Sequence, residues 1–231
     1  MPGKQAFFIT GTDTGVGKTF VACALLHAAL AAGLDGVGMK PVAAGVDGAG
    51  RNEDVERLIA ASSIAAAREL VNPYCFAAAV APHIAAAEEG RSIDPAVIKA
   101  AGAGLVDRAD FLVVEGVGGF LVPLGEGFDS AELAVALGLP VVLVVGLRLG
   151  CLNHALLTAE AIRSRGLCFA GWVANRIDPA MARWRENVAA LEGRLAAPLL
   201  GILPFDPAAD PAAAARLLTL PTTLQGVTNH C

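Results

Sequence analysis

Residues 11–19 read GTDTGVGKT, and they join an apolar run at residues 6–10 to a stretch of helix-forming residues at 18–32. In a loop between a strand and a helix, successive backbone N–H groups can wrap phosphate oxygens, and the helix N-terminus adds its positive end. Lys18 can then reach the terminal phosphates of a nucleotide, while the hydroxyl of Thr19 can coordinate Mg²⁺. The segment therefore predicts a P-loop that binds ATP with Mg²⁺; the alternative is a glycine-rich turn with an accidental lysine.

The loop departs from the usual P-loop pattern at one position. That pattern has four residues between its first glycine and the Gly-Lys pair. Here Gly11 lies one residue closer to the N-terminus than the pattern requires, and Thr12 stands where the first glycine is expected. The departure indicates a subfamily of P-loop proteins and does not argue against phosphate binding.

Short apolar runs alternate with alanine-rich stretches along almost the whole chain. Most of these runs lack two-residue alternation, as expected for strands buried on both faces. Repeated strand–helix order implies right-handed crossovers and a mostly parallel sheet with helices on both faces, in an α/β, P-loop NTPase-like fold. The predicted strands are 6–10, 37–40, 111–115, 141–145, 169–174 and 199–203. The predicted helices are 18–32, 53–61, 95–108, 130–137, 155–165 and 180–195.

The chain contains no internal repeat and no dividing linker, so residues 1–231 are predicted to form a single P-loop α/β domain. Residues 62–90 are expected to be irregular. The stretch from about 206 to 231 is rich in Ala and Pro and is expected to be a peripheral tail with disordered last residues. Ligands of such sheets bind at the carboxyl ends of the strands, where catalytic residues are therefore sought.

Composition excludes several classes of protein. Hydrophobic residues make up 55% and charged residues 17% of the chain, so neither disorder nor a coiled coil is indicated. The net charge of -5 offers no clustered cations for nucleic acid. The most hydrophobic stretch, 133–147, is shorter than the ~20 residues of a membrane-spanning helix. Five scattered cysteines and the absence of a targeting segment favour a cytoplasmic protein without disulfides or zinc.

Three charged residues near predicted strand or helix ends are candidates for chemistry beside the P-loop. Glu115 ends the strand 111–115, where a carboxylate can hold Mg²⁺; a solvated glutamate is the alternative. Lys40 ends the strand 37–40 and could hold a substrate carboxylate or a transferred phosphoryl group, unless it is a lone surface lysine. Asp54 lies in RNEDVER, which fits a metal ligand and a capped helix start with a solvated acidic face equally well.

Further segments accompany the P-loop in a fixed order. The set is TGTDTGVGKT, MKPVAAG, RNEDV, VNPYCF, APHIAA with EEGR, VVEGVGGFLVPL, VVLVVGLRLGCLNHALLT, AGWVANR and LLGILP. Together these segments resemble the dethiobiotin synthetases of the biotin pathway, from the P-loop to about Pro204. Each segment is only moderately specific, but the ordered set over most of the chain is highly specific.

The resemblance implies an enzyme that closes a ureido ring on 7,8-diaminononanoate with CO₂ and ATP, giving dethiobiotin, ADP and phosphate. One substrate amine takes up CO₂ to form a carbamate, ATP phosphorylates the carbamate, and the neighbouring amine expels phosphate. No protein nucleophile is required, so catalysis rests on positioning and charge stabilisation. The sequence agrees, because it has no obvious catalytic Ser or Cys constellation.

The resemblance also implies roles for individual residues. Lys18 and Lys40 would hold the phosphates and the carbamate, with Lys40 as the family's active-site lysine and Thr14 near the carbamate. The Mg²⁺ ligands would be Thr19, Asp54 and Glu115. Asn175 would read the adenine edge. The full ATP-binding set carried over is Gly15, Val16, Gly17, Lys18, Thr19, Phe20, Asp54, Glu115, Gly116, Gly118, Asn175, Arg176 and Pro204.

The family is a homodimer in which the substrate tail crosses the interface. Residues from GCLNHA of the opposing subunit would bind the far carboxylate of the substrate together with Gly118. The substrate-binding set carried over is Thr14, Lys40, Ala44, Gly118, Cys151, Leu152 and Asn153.

Two positions depart from the family pattern. Ala44 stands where the family's KPVASG usually has a serine that hydrogen-bonds the substrate. A neighbouring backbone N–H or a water could replace that bond, or substrate affinity could be lower. Gly15 stands where some members have Glu, which a phosphate-binding loop can tolerate.

Two other classes share the P-loop. A nucleotide-switch ATPase of the partitioning kind would act by ATP-controlled dimerisation, but such proteins usually carry a signature lysine early in the P-loop, where this chain has Asp13. An amidotransferase-like ligase related to cobyrinate synthesis usually adds a glutaminase domain, for which 231 residues leave no room. The synthetase interpretation is favoured over both.

Overall fold

The computed structural model of the protein describes residues 4–222. Its strands are β1 (Gln5–Gly11), β2 (Gly36–Met39), β3 (Val42–Ala44), β4 (Tyr74–Phe76), β5 (Phe111–Glu115), β6 (Pro123–Gly125), β7 (Phe128–Asp129), β8 (Val141–Leu147), β9 (Phe169–Arg176) and β10 (Leu199–Leu203). Six strands form a parallel sheet in the order β10-β9-β8-β1-β5-β2. The short pairs β3–β4 and β6–β7 lie outside this sheet. The first strand of the chain is therefore an interior strand, between β5 and β8.

Helices cover both faces of the sheet. They are α1 (Lys18–Ala31), α2 (Glu53–Ala61), α3 (Arg68–Val71), α4 (Pro82–Glu88), α5 (Pro95–Val106), α6 (Ser130–Leu137), α7 (Cys151–Ser164), α8 (Trp184–Leu195) and α9 (Pro211–Ala214). Along β1, Phe7 and Ile9 pack into the apolar layer that contains α1, α2 and α9. Phe8 packs into the opposite layer, with α5, α6, α7 and α8. Because successive side chains enter different apolar layers, the strands read as continuous apolar runs.

The parallel sheet and its order confirm the predicted α/β fold class, and every predicted strand and helix is present. Three boundaries differ in ways that matter for the site. β2 ends at Met39, so Lys40 follows the strand instead of ending it. α7 begins at Cys151, about one turn before the predicted start, because Gly150 takes a left-handed φ of 95°. α8 begins at Trp184, later than predicted, after Arg183 with a φ of 55°.

The prediction that residues 62–90 are irregular is wrong in part. This stretch contains α3, β4 and α4, which are 4, 3 and 7 residues long. Elements of this length show too few repeats for hydrophobic periodicity to reveal them. β4 pairs in parallel with β3, which begins two residues after Lys40.

Part of the segment 206–222 packs against the helix that follows the P-loop. Ala214 of α9 is buried in the layer that contains α1, and Leu218 and Leu220 pack against the same layer. The predicted disorder of the last residues concerns 223–231, which lie outside the described residues. Among residues 4–222, no helix combines the length and the apolar character that crossing a membrane requires.

The topology puts the loop after β1 at the switch point of the sheet. From β1 the chain crosses to β2 on one side, and after β5 it crosses to β8 on the other. Ligands of open parallel sheets bind at such points, beside the carboxyl ends of the strands. The register sets Ile9 of β1 opposite Glu115 at the end of β5, so the loop after Gly11 lies close to that carboxylate.

Candidate active site

A cavity of about 810 Å³ opens beside the carboxyl ends of β1, β2 and β5. Its walls come from the loop before α1, the first turns of α1 and α2, the end of β3, the segment before α4 and the loop after β5. The lining residues are Asp13, Thr14, Gly15, Gly17, Lys18, Thr19, Phe20, Lys40, Ala43, Ala44, Asn52, Asp54, Arg57, Ala79, Val80, Ala81, Pro82, Glu115, Val117, Gly118, Gly119 and Val122. A cavity of this size fits a nucleotide-sized ligand.

The loop between β1 and α1 contains two glycines in the left-handed region. Gly15 has a φ of 74° and Gly17 a φ of 91°, values that side chains rarely allow. Behind the loop, Nδ2 of Asn175 donates a hydrogen bond of 2.8 Å to the carbonyl oxygen of Val16. A Cβ on Gly17 would lie 2.2 Å from that Nδ2, so position 17 accepts only glycine while Asn175 occupies this place.

Lys18 is a buried cation at the start of α1. Its Nζ donates a 3.0 Å hydrogen bond across the loop to the carbonyl oxygen of Asp13, and the residue is 7% exposed. Burial, followed by repulsion from Lys40, lowers the pKa of Lys18 to about 8. Among residues 4–222, no carboxylate lies within ion-pair distance of this ammonium group. It is therefore suited to hold an anionic ligand.

Four side chains from separate segments meet next to Lys18, and we call them the lysine–carboxylate cluster: Thr19, Lys40, Asp54 and Glu115. Oγ1 of Thr19 lies 2.8 Å from Oδ1 of Asp54 and 2.8 Å from Oε1 of Glu115, and its hydroxyl can donate to one at a time. Nζ of Lys40 lies 2.5 Å from Oε1 of Glu115 and 3.1 Å from Oδ2 of Asp54. The cluster thus joins one ammonium group to two carboxylates.

The charges of the cluster stabilise one another. Burial alone would lower the pKa of Lys40, but attraction to Glu115 and then Asp54 outweighs burial and raises that pKa. For Asp54, burial opposes ionisation, yet Lys40 and the hydrogen bond from Thr19 hold the pKa of the carboxyl below its ordinary value. Lys40 is therefore a cation and Asp54 an anion at neutral pH.

Two buried asparagines fix the backbone that carries this cluster. Nδ2 of Asn72 donates to the carbonyl oxygen of Lys40 over 2.6 Å, which holds the turn between β2 and β3. Asn52 is the N-cap of α2, and its Oδ1 accepts a 3.3 Å bond from the backbone N–H of Val55. Its Nδ2 also donates to the carbonyl oxygen of Gly45 over 2.7 Å. Asn52 thus joins the helix that carries Asp54 to the end of β3.

Some of the sequence-predicted residues lie outside the cavity. Val16 is buried in the core, and Asn175 contacts the P-loop from behind. The guanidinium of Arg176 stacks 4.7 Å from the ring centre of Trp184, and Pro204 is exposed after β10. The segment of the predicted far-carboxylate site begins α7 and does not line the cavity; its residues are Cys151, Leu152 and Asn153. Gly116 does not line the cavity, but its carbonyl oxygen lies 3.4 Å from Nζ of Lys40.

Sequence reasoning missed several residues that shape the site. Arg57 lines the cavity one turn after Asp54 on α2. Asn72 and Arg148 lie in the quoted segments VNPYCF and VVLVVGLRLGCLNHALLT, so the segments were identified without their roles. The capped helix start indicated by RNEDVER is confirmed, with Asn52 as the N-cap of α2; its additional bond to the carbonyl oxygen of Gly45 was not expected.

Solved structures share the fold of this chain at low sequence identity. MinD of Pyrococcus furiosus matches with a TM-score of 0.56 and 19% identity, over 95% of this chain and 89% of the other. MinD of Pyrococcus horikoshii, complexed with Mg-ADP, matches with a TM-score of 0.56 and 18% identity, over 94% and 87%. A ParA family ATPase of Chlorobium tepidum reaches 0.51 and 15%, over 94% and 90%. At these identities the likeness concerns the fold.

Curated relatives are much closer in sequence. The family described as an AAA domain matches residues 5–213. An ATP-dependent dethiobiotin synthetase BioD of Aromatoleum aromaticum is 59% identical over 224 residues, which cover 96% of this chain and all of the relative. The protein of the same name from Nitrosospira multiformis is 60% identical over 202 residues, covering 87% of this chain and 89% of the relative. The resemblance of the sequence motifs is thereby confirmed, and the chain belongs to the family of ATP-dependent dethiobiotin synthetases.

Proposed function

We propose that this chain closes the ureido ring of dethiobiotin from 7,8-diaminononanoate, CO₂ and ATP. The observation that carries the proposal is the meeting of Lys18 with the lysine–carboxylate cluster in one cavity at the switch point of the sheet. Two ammonium groups and two carboxylates there can hold phosphate, metal and carbamate together. No nucleophile from the protein is needed for this chemistry.

ATP would bind with its phosphates in the loop that contains Gly15, Val16 and Gly17. Backbone N–H groups of Thr19 and Phe20 at the start of α1 add to this cradle, and Lys18 supplies a cation that lacks a carboxylate partner. Gly116 and Gly118 follow β5 beside it. For the base, Asn175 keeps its Oδ1 for the amino group of adenine, since its Nδ2 bonds Val16. Arg176 and Pro204 are proposed to flank the base.

The proposed Mg²⁺ ligands are Thr19, Asp54 and Glu115, and their geometry supports the fit. All three are hard oxygen donors, and Oγ1 of Thr19 lies 2.8 Å from an oxygen of each carboxylate. Oε2 of Glu115 is buried without a hydrogen-bond partner among the described residues, as expected of an oxygen that coordinates a metal ion. When bound, Mg²⁺ neutralises charge on the transferred phosphoryl group.

The reaction would proceed in three steps on the substrates. One amine of the diamine attacks CO₂ and loses a proton, giving a carbamate that Lys40 and Thr14 hold. A carbamate oxygen attacks the γ-phosphorus of ATP, and the bond from that phosphorus to the β–γ bridging oxygen breaks, which releases ADP. The second amine attacks the carbonyl carbon, the bond to phosphate breaks, and a proton is lost as the ring closes. Lys18 and Lys40 stabilise the negative charge that the phosphoryl group carries during transfer.

We propose a homodimer with the substrate carboxylate at its interface. Gly118 lines the cavity of one subunit, and Cys151, Leu152 and Asn153 of the opposing subunit would complete the carboxylate site. These three residues begin α7 and do not line the cavity of their own subunit, which supports a role across an interface. Ala44 lines the cavity where the family's serine would stand, so substrate contact there falls to backbone or water.

A single domain and a cytoplasmic location complete the proposal. The single domain is supported by one six-stranded sheet whose strands come from residues 5–203. The location is supported by the use of ATP in a biosynthetic step.

Phosphate release should be measured with ATP, Mg²⁺ and bicarbonate, with and without 7,8-diaminononanoate. We expect release that depends on the diamine, with dethiobiotin formed in equal amount, and loss of both products in Lys18→Ala. Release indifferent to the diamine would overturn the ring-closing function and favour a nucleotide-switch ATPase.

A further inference from the structure

We propose that Arg148 neutralises Asp13, so that the P-loop can accept the polyphosphate of ATP. Arg148 acts through Asp13 and is in this sense a positioning residue of the phosphate loop. The inference rests on the proposed binding of ATP in this loop. It goes beyond the proposed function, because neither residue belongs to the sets carried over from the family.

The contact is a tight ion pair between distant parts of the chain. Nη2 of Arg148, after β8, lies 2.5 Å from Oδ2 of Asp13. Oδ1 of Asp13 accepts a 2.8 Å hydrogen bond from the backbone N–H of Thr14. Both oxygens of the carboxylate are thus engaged, and the side chain is held at the outer turn of the loop.

Asp13 poses an electrostatic difficulty for a loop that binds phosphate. It lines the cavity, and its carbonyl oxygen accepts the bond from Nζ of Lys18, the cation that would meet the phosphates. The backbone N–H of Thr14 and the guanidinium of Arg148 keep the pKa of Asp13 below its ordinary value, although desolvation opposes them. An ionised carboxylate in the wall of this cavity repels a polyphosphate bound there, unless a cation compensates the charge of the carboxylate.

Two other roles for Arg148 fit the geometry less well. Direct contact with the phosphates is disfavoured, because Arg148 is not among the residues that line the cavity. A purely mechanical tether would be redundant, because two other hydrogen bonds already join the loop to β8. The backbone N–H of Thr12 donates to the carbonyl oxygen of Val144 over 3.0 Å, and that of Gly146 donates to Oγ1 of Thr12 over 3.4 Å. We therefore assign to the side chain of Arg148 the role of compensating the charge of Asp13.

The test measures the dissociation constant of ATP by calorimetry, with Mg²⁺ present and without diamine or bicarbonate, so that no turnover occurs. Arg148→Met should raise the dissociation constant on the order of tenfold, which corresponds to about 1.4 kcal/mol. Arg148→Lys keeps the charge and should bind ATP within about threefold of the unchanged protein. The defect of Arg148→Met should shrink as salt is added, since salt screens half-exposed charges.

The decisive variant is Asp13→Asn, which removes the charge and keeps the shape of the side chain. Combined with Arg148→Met, it should restore most of the lost affinity, because no carboxylate is left to compensate. If Arg148 contacted phosphate directly, the double variant would stay as weak as Arg148→Met. If the pair were only a tether, Asp13→Asn alone would be as weak as Arg148→Met. Either result would overturn the inference, and so would normal ATP affinity in Arg148→Met.

A matched control is Arg165→Met, which breaks a partly exposed ion pair with Asp129 far along the chain from the loop. It should leave ATP affinity unchanged, and an equal loss there would sink the claim that the effect is local. Failure of the unchanged protein to bind ATP would overturn the proposed function as well. ATP binding without the rescue pattern would overturn only this inference.

Discussion

Lys18 and Lys40 line the same cavity with almost the same exposure, 7% and 4%, yet their environments differ in kind. Lys18 bonds a carbonyl oxygen in the P-loop, and its pKa falls to about 8 because burial is the largest influence on it. Lys40 contacts two carboxylates, which raise its pKa in spite of burial. At nearly equal burial, the partners of a lysine therefore decide the direction in which its pKa shifts.

The comparison also separates two ways of building a site. The P-loop is contiguous, so that Lys18 and its cradle come from one short segment. The lysine–carboxylate cluster is assembled from α1, the end of β2, α2 and the end of β5, and it exists only when the sheet is complete. In the P-loop, the ammonium group of Lys18 has no carboxylate partner among the described residues and can bind an added anion. In the lysine–carboxylate cluster, the ammonium group of Lys40 is already paired with the carboxylates of Asp54 and Glu115.

The largest effect is expected from removal of the ammonium group of Lys40. Lys40→Met should lower the kcat for dethiobiotin formation by about 10²–10³-fold, because the charge that is proposed to stabilise the carbamate and the transferred phosphoryl group is lost. The measurement is steady-state product formation with all three substrates saturating. Lys99→Met, on the exposed side of α5, is the matched control and should keep normal turnover. A Lys40→Met enzyme with near-normal kcat would remove Lys40 from the mechanism.

A second experiment compares the stability of the two lysine variants. Lys40→Met leaves the buried carboxylate of Glu115 without its cation and should lower the free energy of unfolding by about 3 kcal/mol. Lys18→Met leaves no carboxylate without a partner, so the free energy of unfolding should change by no more than about 1 kcal/mol. Urea unfolding without ATP and Mg²⁺ measures both. Adding Glu115→Gln to Lys40→Met should recover part of the loss; equal losses for the two lysines would show that partners do not matter.

A third experiment loosens the cluster without changing its charges. Asn52→Ala removes the N-cap of α2 and the bond to Gly45, so Asp54 loses its fixed position. The Mg²⁺ concentration for half-maximal activity should rise about tenfold, and the free energy of unfolding should fall by about 1 kcal/mol. Asp94→Ala, which removes the N-cap of α5, is the control for a lost cap away from the site. An unchanged Mg²⁺ requirement in Asn52→Ala would contradict the positioning role.

The smallest effect is expected behind the P-loop. Asn175→Ala should weaken the discrimination between ATP and GTP by about fivefold, the worth of one neutral hydrogen bond. Competition binding measures the ratio of the dissociation constants of ATP and GTP. A loss of affinity common to both nucleotides, caused by the missing support of the P-loop, does not change this ratio. Selectivity that stays the same would remove Asn175 from base recognition and leave it as a loop support alone.

The sequence was sufficient to predict most of the fold and the parts of the site that depend on local patterns. The P-loop was predictable because its loop, lysine and hydroxyl are contiguous. Glu115 and Lys40 were predictable as charges near strand ends at one edge of a parallel sheet. For Asp54, the expected helix cap is present at Asn52, and Asp54 itself lines the cavity, which leaves its role as a metal ligand a prediction.

What escaped prediction depends on long-range register or on elements too short for a pattern. The pair of Asp13 with Arg148 joins residues 135 positions apart, and it follows from the pairing of β1 with β8. No local signal reveals that register. The start of α7 depends on the left-handed φ of Gly150, which the sequence permits at many glycines. The elements inside 62–90 are held by tertiary packing more than by propensity.

The interior position of β1 has a consequence for the order in which the protein becomes competent during its synthesis. Among the strands of this sheet β1 is translated before the others, but both of its neighbours, β5 and β8, are translated more than 95 residues later. Pairing across such separations is slow, and an unpaired apolar strand is exposed to aggregation until it is complete. A nascent chain that stops before residue 141 carries the whole GTDTGVGKT segment and still has only one of the two strands that support it. Chaperone binding to the emerging N-terminal strand would therefore matter most in the interval before β8 appears.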